Sequence, residues 1–243
     1  MPRTYSDDEL LYTHNGVLRN NLGLTDNAEL ELAERAITTR NQNRIRAMTI
    51  DEFDLEKLCF VHKELFRSIY PWAGELRKVE LSKGGTKFCP ALVVAQGCDQ
   101  VFIKLGWDKN LKGLSKEEFC KGAAQLFNNL NDLHPFREGN GRTIRLVLFH
   151  VAKNAGWFLD LSQANREEYM AASIAGCQGK HNLMEELMLK LIQPWPSGRG
   201  TRKVALTREL SLENEKEKAK EMEKPLAPIQ IAPRRRVGRG IEF

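Results

Sequence analysis

No apolar run in this chain of 243 residues approaches the roughly 20 residues that a membrane-spanning helix requires. Nor does an apolar stretch follow Met1-Pro2-Arg3-Thr4-Tyr5-Ser6; acidic residues come next, so no secretory signal is expected. Cysteine is sparse. Cys59, Cys89, Cys98, Cys120 and Cys177 are odd in number and show no C-x-x-C spacing, which argues against a disulfide framework or a structural zinc site. Most of them sit among apolar neighbours and read as reduced core thiols of a cytoplasmic protein. His14, His62, His150 and His181 form no metal-ligand spacing with them.

Net charge is also lacking over most of the chain. The total of +5 sits in residues 197–243, which hold 12 Lys+Arg and 7 Asp+Glu, leaving 25 of each sign before them. A neutral domain weakens the case for a nucleic-acid binder, which usually shows a basic face, and nucleic-acid binding by the tail is not expected either. The apolar fraction of 42% lies slightly below the usual soluble range and fits a core domain with a polar appendage.

What the chain does have is concentrated in the twelve residues His134-Pro135-Phe136-Arg137-Glu138-Gly139-Asn140-Gly141-Arg142-Thr143-Ile144-Arg145. Apolar residues at helical spacing precede the run (Phe119, Ala123, Leu126, Phe127, Leu130, Leu133) and follow it (Ile144, Leu146, Val147, Leu148, Val151). A general base at the end of one helix therefore faces the first turn of the next. Gly139 and Gly141 let the backbone turn tightly and approach a phosphate. The orphan N–H groups and dipole of the new helix attract anions, and the Asn140 amide can add a donor. Arg142 and Arg145, three apart, share a helix face and can fork onto phosphate oxygens. Glu138 is the only acid of the run, and a single carboxylate beside phosphates is a usual protein ligand of Mg²⁺. His134, with an unperturbed pKa near about 6.5, can take a proton at physiological pH.

This run resembles the signature of the Fic family, His-x-Phe-x-(Asp/Glu)-Gly-Asn-Gly-Arg-x-x-Arg, and meets every specified position. The resemblance implies a mainly α-helical Fic domain with one β-hairpin flap, and transfer of AMP from ATP to a Ser, Thr or Tyr hydroxyl of a target protein. It implies that His134 deprotonates the acceptor and that Glu138 holds the Mg²⁺ bridging the α- and β-phosphates. Gly139, Asn140, Gly141 and Arg142 would form the anion hole, Arg145 would meet the terminal phosphate, and Phe136 would pin the loop to the core.

Two further segments are similar to the family. Alternating residues from Arg77 to Ser82, the turn Lys83-Gly84-Gly85, and Thr86-Lys87-Phe88-Cys89 read as a hairpin over 77–89. It looks like the Fic flap, with Val79, Glu80, Leu81, Ser82, Lys83, Gly84, Gly85 and Thr86 docking the target by strand pairing. Asp8-Glu9-Leu10-Leu11-Tyr12 through Leu22-Gly23-Leu24 resembles the lead-in of many Fic domains, with Thr25 or Asp26 suited to cap the next helix. The domain is expected to span residues 8–194.

Helices are expected near 8–21, 28–47, 51–69, 95–106, 115–133, 140–155, 163–175 and 181–193. Pro194-Trp195-Pro196-Ser197-Gly198-Arg199-Gly200 closes the domain, because prolines and glycines cannot continue a helix. Residues 197–243 are then a charged, partly disordered extension. Many Fic proteins carry an inhibitory helix of pattern (Ser/Thr)-x-x-x-Glu-(Gly/Asn). Here Ser211 and Glu215 have the spacing but Lys216 follows, and Glu213-Asn214 has the ending but Glu209 stands at its start. The mismatch favours a separate small antitoxin that supplies the glutamate. A toxin or host-translocated effector is the implied role. Transfer of another phosphate-containing moiety, or a non-catalytic interaction module with a basic tail, are the alternatives; the retained Gly141 and His134 speak against them.

Overall fold

The computed structural model describes residues 16–83 and 86–196. Gly84 and Gly85 of the expected hairpin turn, residues 8–15 of the expected first helix, and the tail with Ser211, Glu213 and Glu215 lie outside these. Among the described residues the chain is mainly helical: α1 (Asn27–Arg46), α2 (Leu55–Phe66), α3 (Val94–Trp107), α4 (Lys116–Leu133), α5 (Asn140–Asn154), α6 (Arg166–Cys177) and α7 (Asn182–Leu191). Two small antiparallel pairs complete it, β1 (Ser82–Lys83) with β2 (Thr86–Lys87), and β3 (Trp157–Phe158) with β4 (Gln193–Pro194).

Helix α5 is the centre. From Leu146 to Ala152 every side chain is buried, His150 included, so this stretch must be enclosed on all sides. Helices α1, α2 and α4 pack against it, while α3, α6 and α7 pack on α4. Phe119, Phe127, Leu130, Ile144, Leu146, Leu58, Leu65 and Phe66 are almost fully removed from water, each contributing on the order of 1.5–3 kcal/mol. All five cysteines are free; Cys98 and Cys120 are buried and the other three half-buried, and burial pushes the thiols of Cys59 and Cys98 up to about 11 and about 12.

Several boundaries differ from expectation, and three of them have a clear physical reason. Residues 16–21 are not helical. The Asn20 side chain bonds the carbonyls of Leu18 and Leu24 and the N–H groups of Leu22 and Leu24, offering the backbone an alternative to helix. The second helix starts at Leu55 rather than 51, because the Asp54 carboxylate accepts from Lys57 N–H at 2.6 Å and caps it. The last helix stops at Leu191, and Gln193–Pro194 pairs with Trp157–Phe158 in a sheet that no alternation had marked. Asp26, not Thr25, caps α1 through bonds from Ala28 and Glu29 N–H.

Candidate active site

Helix α4 opens with a Ser115/Glu118 capping box and ends against Pro135, which cannot continue it. Its last residue, Leu133, is followed by His134 in the left-handed region (φ 45°, ψ 61°). An L residue there costs about 1–2 kcal/mol and has to be held by its surroundings. His134 Nδ1 lies 3.2 Å from the Asn131 carbonyl, which assigns the proton to Nδ1 and makes Nε2 the basic nitrogen. Phe88, just after β2, stacks on the imidazole at 3.7 Å.

The loop after His134 is tied inward. Phe136 is fully buried and stacks on His62 at 3.8 Å. The Asn140 amide, expected to face an anion, is turned inward instead: its oxygen accepts from Phe136 N–H (2.8 Å) and its NH₂ donates to the Phe136 carbonyl (2.7 Å). Its role is to staple the loop, and only its backbone faces the helix start. Gly139 (φ +81°) precedes α5, and a Cβ there would lie 2.3 Å from the Phe66 ring. Gly141 is different: it lies inside α5, and an added Cβ would meet nothing nearer than the Tyr169 hydroxyl at 3.5 Å. Folding therefore demands Gly139 but leaves Gly141 without a structural need.

Arg142 and Arg145 share a face of α5 and line one cavity of about 990 Å³ together with Glu138, Glu34, Thr38 and Tyr70. His134 is not in its lining. The Glu138 carboxylate accepts from Gly139 N–H at 2.9 Å, lies 3.5 Å from Arg142 Nη2 and is partly exposed. Arg142 is engaged: Nη2 meets the Glu34 carboxylate at 2.5 Å, and its guanidinium covers the Phe66 ring at 4.9 Å. Glu34 also accepts from the Tyr70 hydroxyl, and burial with this carboxylate pushes the phenol well above its ordinary range. Arg145 rests on the Tyr169 ring at 5.1 Å, and its buried Nε has no hydrogen-bond partner among the described residues.

The hairpin is shorter than 77–89. Ser82 pairs with Lys87 and Lys83 with Thr86, and Leu81 C=O accepts from Phe88 N–H at 3.1 Å. Val79 and Glu80 precede the strand: Val79 C=O accepts from Arg77, and the Glu80 carboxylate accepts from Ala91 N–H.

Several residues at the site carried no signal of their own in sequence. Glu34, Thr38 and Asn41 are buried with Leu30 and Ile45 along one stripe of α1, at a spacing that is visible only once the helix face is known. His62 is fully buried, and its ring joins two segments: Nδ1 accepts from Gly74 N–H (2.8 Å) and Nε2–H donates to the Glu138 carbonyl (3.0 Å). Burial lowers its pKa to about 4, and burial likewise lowers that of His150 to about 4. The folded chain thus refuses protons that the unfolded chain accepts below about 6.5. Stability is full above that pH and is lost as pH falls from about 6.5 towards 4, by roughly 3 kcal/mol for His62. Urea unfolding at pH 7.5 and 4.5 should show this loss; equal midpoints would refute it.

The site can be placed among known proteins. A family model described as Fic/DOC family matches residues 52–152, which contain the whole run from His134 to Arg145. VbhT of Bartonella schoenbuchensis, named a protein adenylyltransferase, is 36% identical over 184 residues, which is 75% of this chain and 38% of that protein. A Fic protein of Salmonella typhimurium, also named an adenylyltransferase, is 30% identical over 189 residues, 76% of this chain and 92% of the relative. The crystal structure of BepC, a VirB-translocated effector of Bartonella tribocorum with bound AMPPNP, superposes with a TM-score of 0.71 at 26% identity, covering 76% of this chain and 97% of that one. The chain belongs to the Fic/DOC family. It spans only about four-tenths of the length of VbhT.

Proposed function

We propose that this chain is a protein adenylyltransferase, moving AMP from ATP to a Ser, Thr or Tyr hydroxyl of a target protein. The observation that carries this is the His134 imidazole, held by the Asn131 carbonyl at Nδ1 so that Nε2 is the proton acceptor, one loop away from an arginine-bearing helix start. The acceptor oxygen forms a bond to the α-phosphorus, the α–β anhydride bond breaks, and pyrophosphate leaves. The hydroxyl proton passes to His134 Nε2. The backbone at Gly139, Asn140 and Gly141 receives the phosphates, and the missing Cβ of Gly141, which the fold does not require, leaves room for their close approach. Arg142, aligned by Glu34, and Arg145 answer the charge that develops. Residues 79–86 dock the target by strand pairing.

The site suits Mg²⁺ held by one protein ligand. Among the described residues no cluster of three or more His, Cys, Asp or Glu could hold a metal, and Glu138 is a partly exposed carboxylate 3.5 Å from Arg142. Glu138 would hold the ion, with phosphate oxygens and water completing it, and the ion would neutralise phosphate charge. Incubation of the full chain with labelled ATP and a lysate, with and without Mg²⁺, tests the reading: transfer of label to protein should need the metal. Glu138→Ala should shift the Mg²⁺ titration to higher concentration; superimposable curves would refute the Glu138 assignment.

Control by a separate small antitoxin supplying a glutamate to Arg145 follows from the same reading. Arg145 carries a buried Nε with no partner among the described residues, and the adjoining 990 Å³ cavity is larger than one carboxylate would need. Glu34 stands on Arg142 instead. The domain would comprise residues 8–194 and the extension 197–243, acting in the cytoplasm as a toxin or host-translocated effector. Ending the chain at residue 196, or Glu215→Gly, should leave the transfer rate within a few-fold of the full chain. A rise of about tenfold in both, equal to roughly 1.4 kcal/mol of relieved inhibition, would make the tail the inhibitor.

A further inference from the structure

Arg77 is a buried cation, 5% exposed, at the root of the flap. Among the described residues its side-chain hydrogen-bond partners are all carbonyl oxygens. Nε donates to His134 (2.7 Å), Nη1 to Val79 (2.7 Å), and Nη2 to Leu133 (3.1 Å) and Cys89. Its own backbone N–H donates to Pro135 C=O at 2.9 Å. These oxygens fall into two groups. Leu133, His134 and Pro135 form the end of α4 and the entry to the motif loop, where helix carbonyls have no intrahelical partner and the dipole favours a cation. Val79 and Cys89 are the two stems of the flap, one before β1 and one after β2. One planar guanidinium therefore bridges both stems of the flap to the backbone of the base. A second link runs in parallel, from Cys89 N–H to Asp132 C=O at 3.1 Å.

The geometry points to Arg77 as a positioning residue for AMP transfer: it holds His134 in its left-handed conformation and locks the flap to it, so that a target strand docked on the flap is delivered in register with the base. This rests on the AMP-transfer reading above. The physical need is specific. His134 is an L residue at φ 45°, a conformation that relaxes unless fixed, and relaxation of the backbone would swing the imidazole away from the acceptor. Only arginine offers five donors in a rigid fork able to reach four carbonyls at once; a lysine ammonium is a point charge on a flexible stem. The guanidinium is buried and spent on backbone carbonyls, so its influence on rate passes through His134 and Phe88, whose ring stacks on the imidazole.

The test uses the full chain with a protein acceptor and labelled ATP, comparing wild type, Arg77→Gln, Arg77→Lys, His134→Ala and the Arg77→Gln/His134→Ala double variant. Arg77→Gln should lower kcat by about 10- to 100-fold, the cost of a misplaced catalytic group. KM for ATP should stay within about twofold, since the nucleotide side is untouched, and Arg77→Lys should recover only part of kcat. The double variant should be no slower than His134→Ala alone, because a group acting through the base has nothing to act on once the base is gone. If Arg77→Gln slows the residual rate by the same factor as it slows wild type, the role is one of general structure and the proposal is overturned. Should Arg77→Gln yield no folded protein, Arg77→Lys decides, and a wild-type kcat for it overturns the proposal. A wild type that labels no protein would refute the AMP-transfer reading itself, whereas an active wild type matched by Arg77→Lys refutes only the role of Arg77.

Discussion

His134→Ala is expected to lower AMP transfer by about 10²- to 10⁴-fold, the usual contribution of a general base, while nucleotide binding survives. The separation follows from where the ring lies. The imidazole is covered by Phe88, and His134 is absent from the lining of the cavity that holds Glu138, Arg142 and Arg145. Removing it takes away a proton acceptor without disturbing the Asn140 staple or the Glu34–Arg142 pair. The loss should therefore appear in kcat, with the affinity for a fluorescent ATP analogue changed less than about threefold. An alanine variant that transfers at near wild-type rate would remove His134 from the mechanism.

Gly139→Ala should damage both fold and activity, and Gly141→Ala should damage activity alone. At Gly139 the new methyl would stand 2.3 Å from Phe66, a ring 1% exposed that also packs on His62 and carries the Arg142 guanidinium. Phe66 has no room to retreat. Overpacking costs about 1–3 kcal/mol and the φ of +81° about 1–2 more, so the thermal midpoint should fall by roughly 5–15 °C. The loop between His134 and α5 must shift as well, and transfer should drop at least tenfold. At Gly141 an added Cβ meets only ordinary contact distances inside a helix, where alanine is favoured over glycine by about 1 kcal/mol. Its thermal midpoint should hold or rise while transfer falls, because the methyl intrudes where the phosphates approach. Melting curves and labelled-ATP assays on the two variants check this. Equal loss of stability in both would contradict the distinction.

The helices and the signature run were largely readable from the chain, because both depend on short-range order. Apolar residues spaced at three and four mark the faces of α4 and α5, and Asp26, Asp54 and Ser115 mark where α1, α2 and α4 begin. The twelve-residue run is contiguous, so its base, acid, glycines and arginines are neighbours before any folding occurs. Errors fell where a local side chain outweighed periodicity, as with Asn20 over residues 16–24, or where pairing was distant, as between Trp157–Phe158 and Gln193–Pro194.

The chain by itself thus determined its helical class and its family, and set the proposed reacting groups side by side in one run. Tertiary structure decided what each of those groups is tied to. Asn140 points inward to Phe136 rather than out to an anion, which its amide alone could not reveal. Arg142 is held by Glu34, 108 positions earlier, and the Glu138 carbonyl by His62, 76 positions earlier. His134 is anchored through Arg77, 57 positions away. Hydrogen bonds and ion pairs of this kind act over a few ångströms and are indifferent to separation along the chain. They exist only once burial has brought α1, α2 and the flap root against the start of α5.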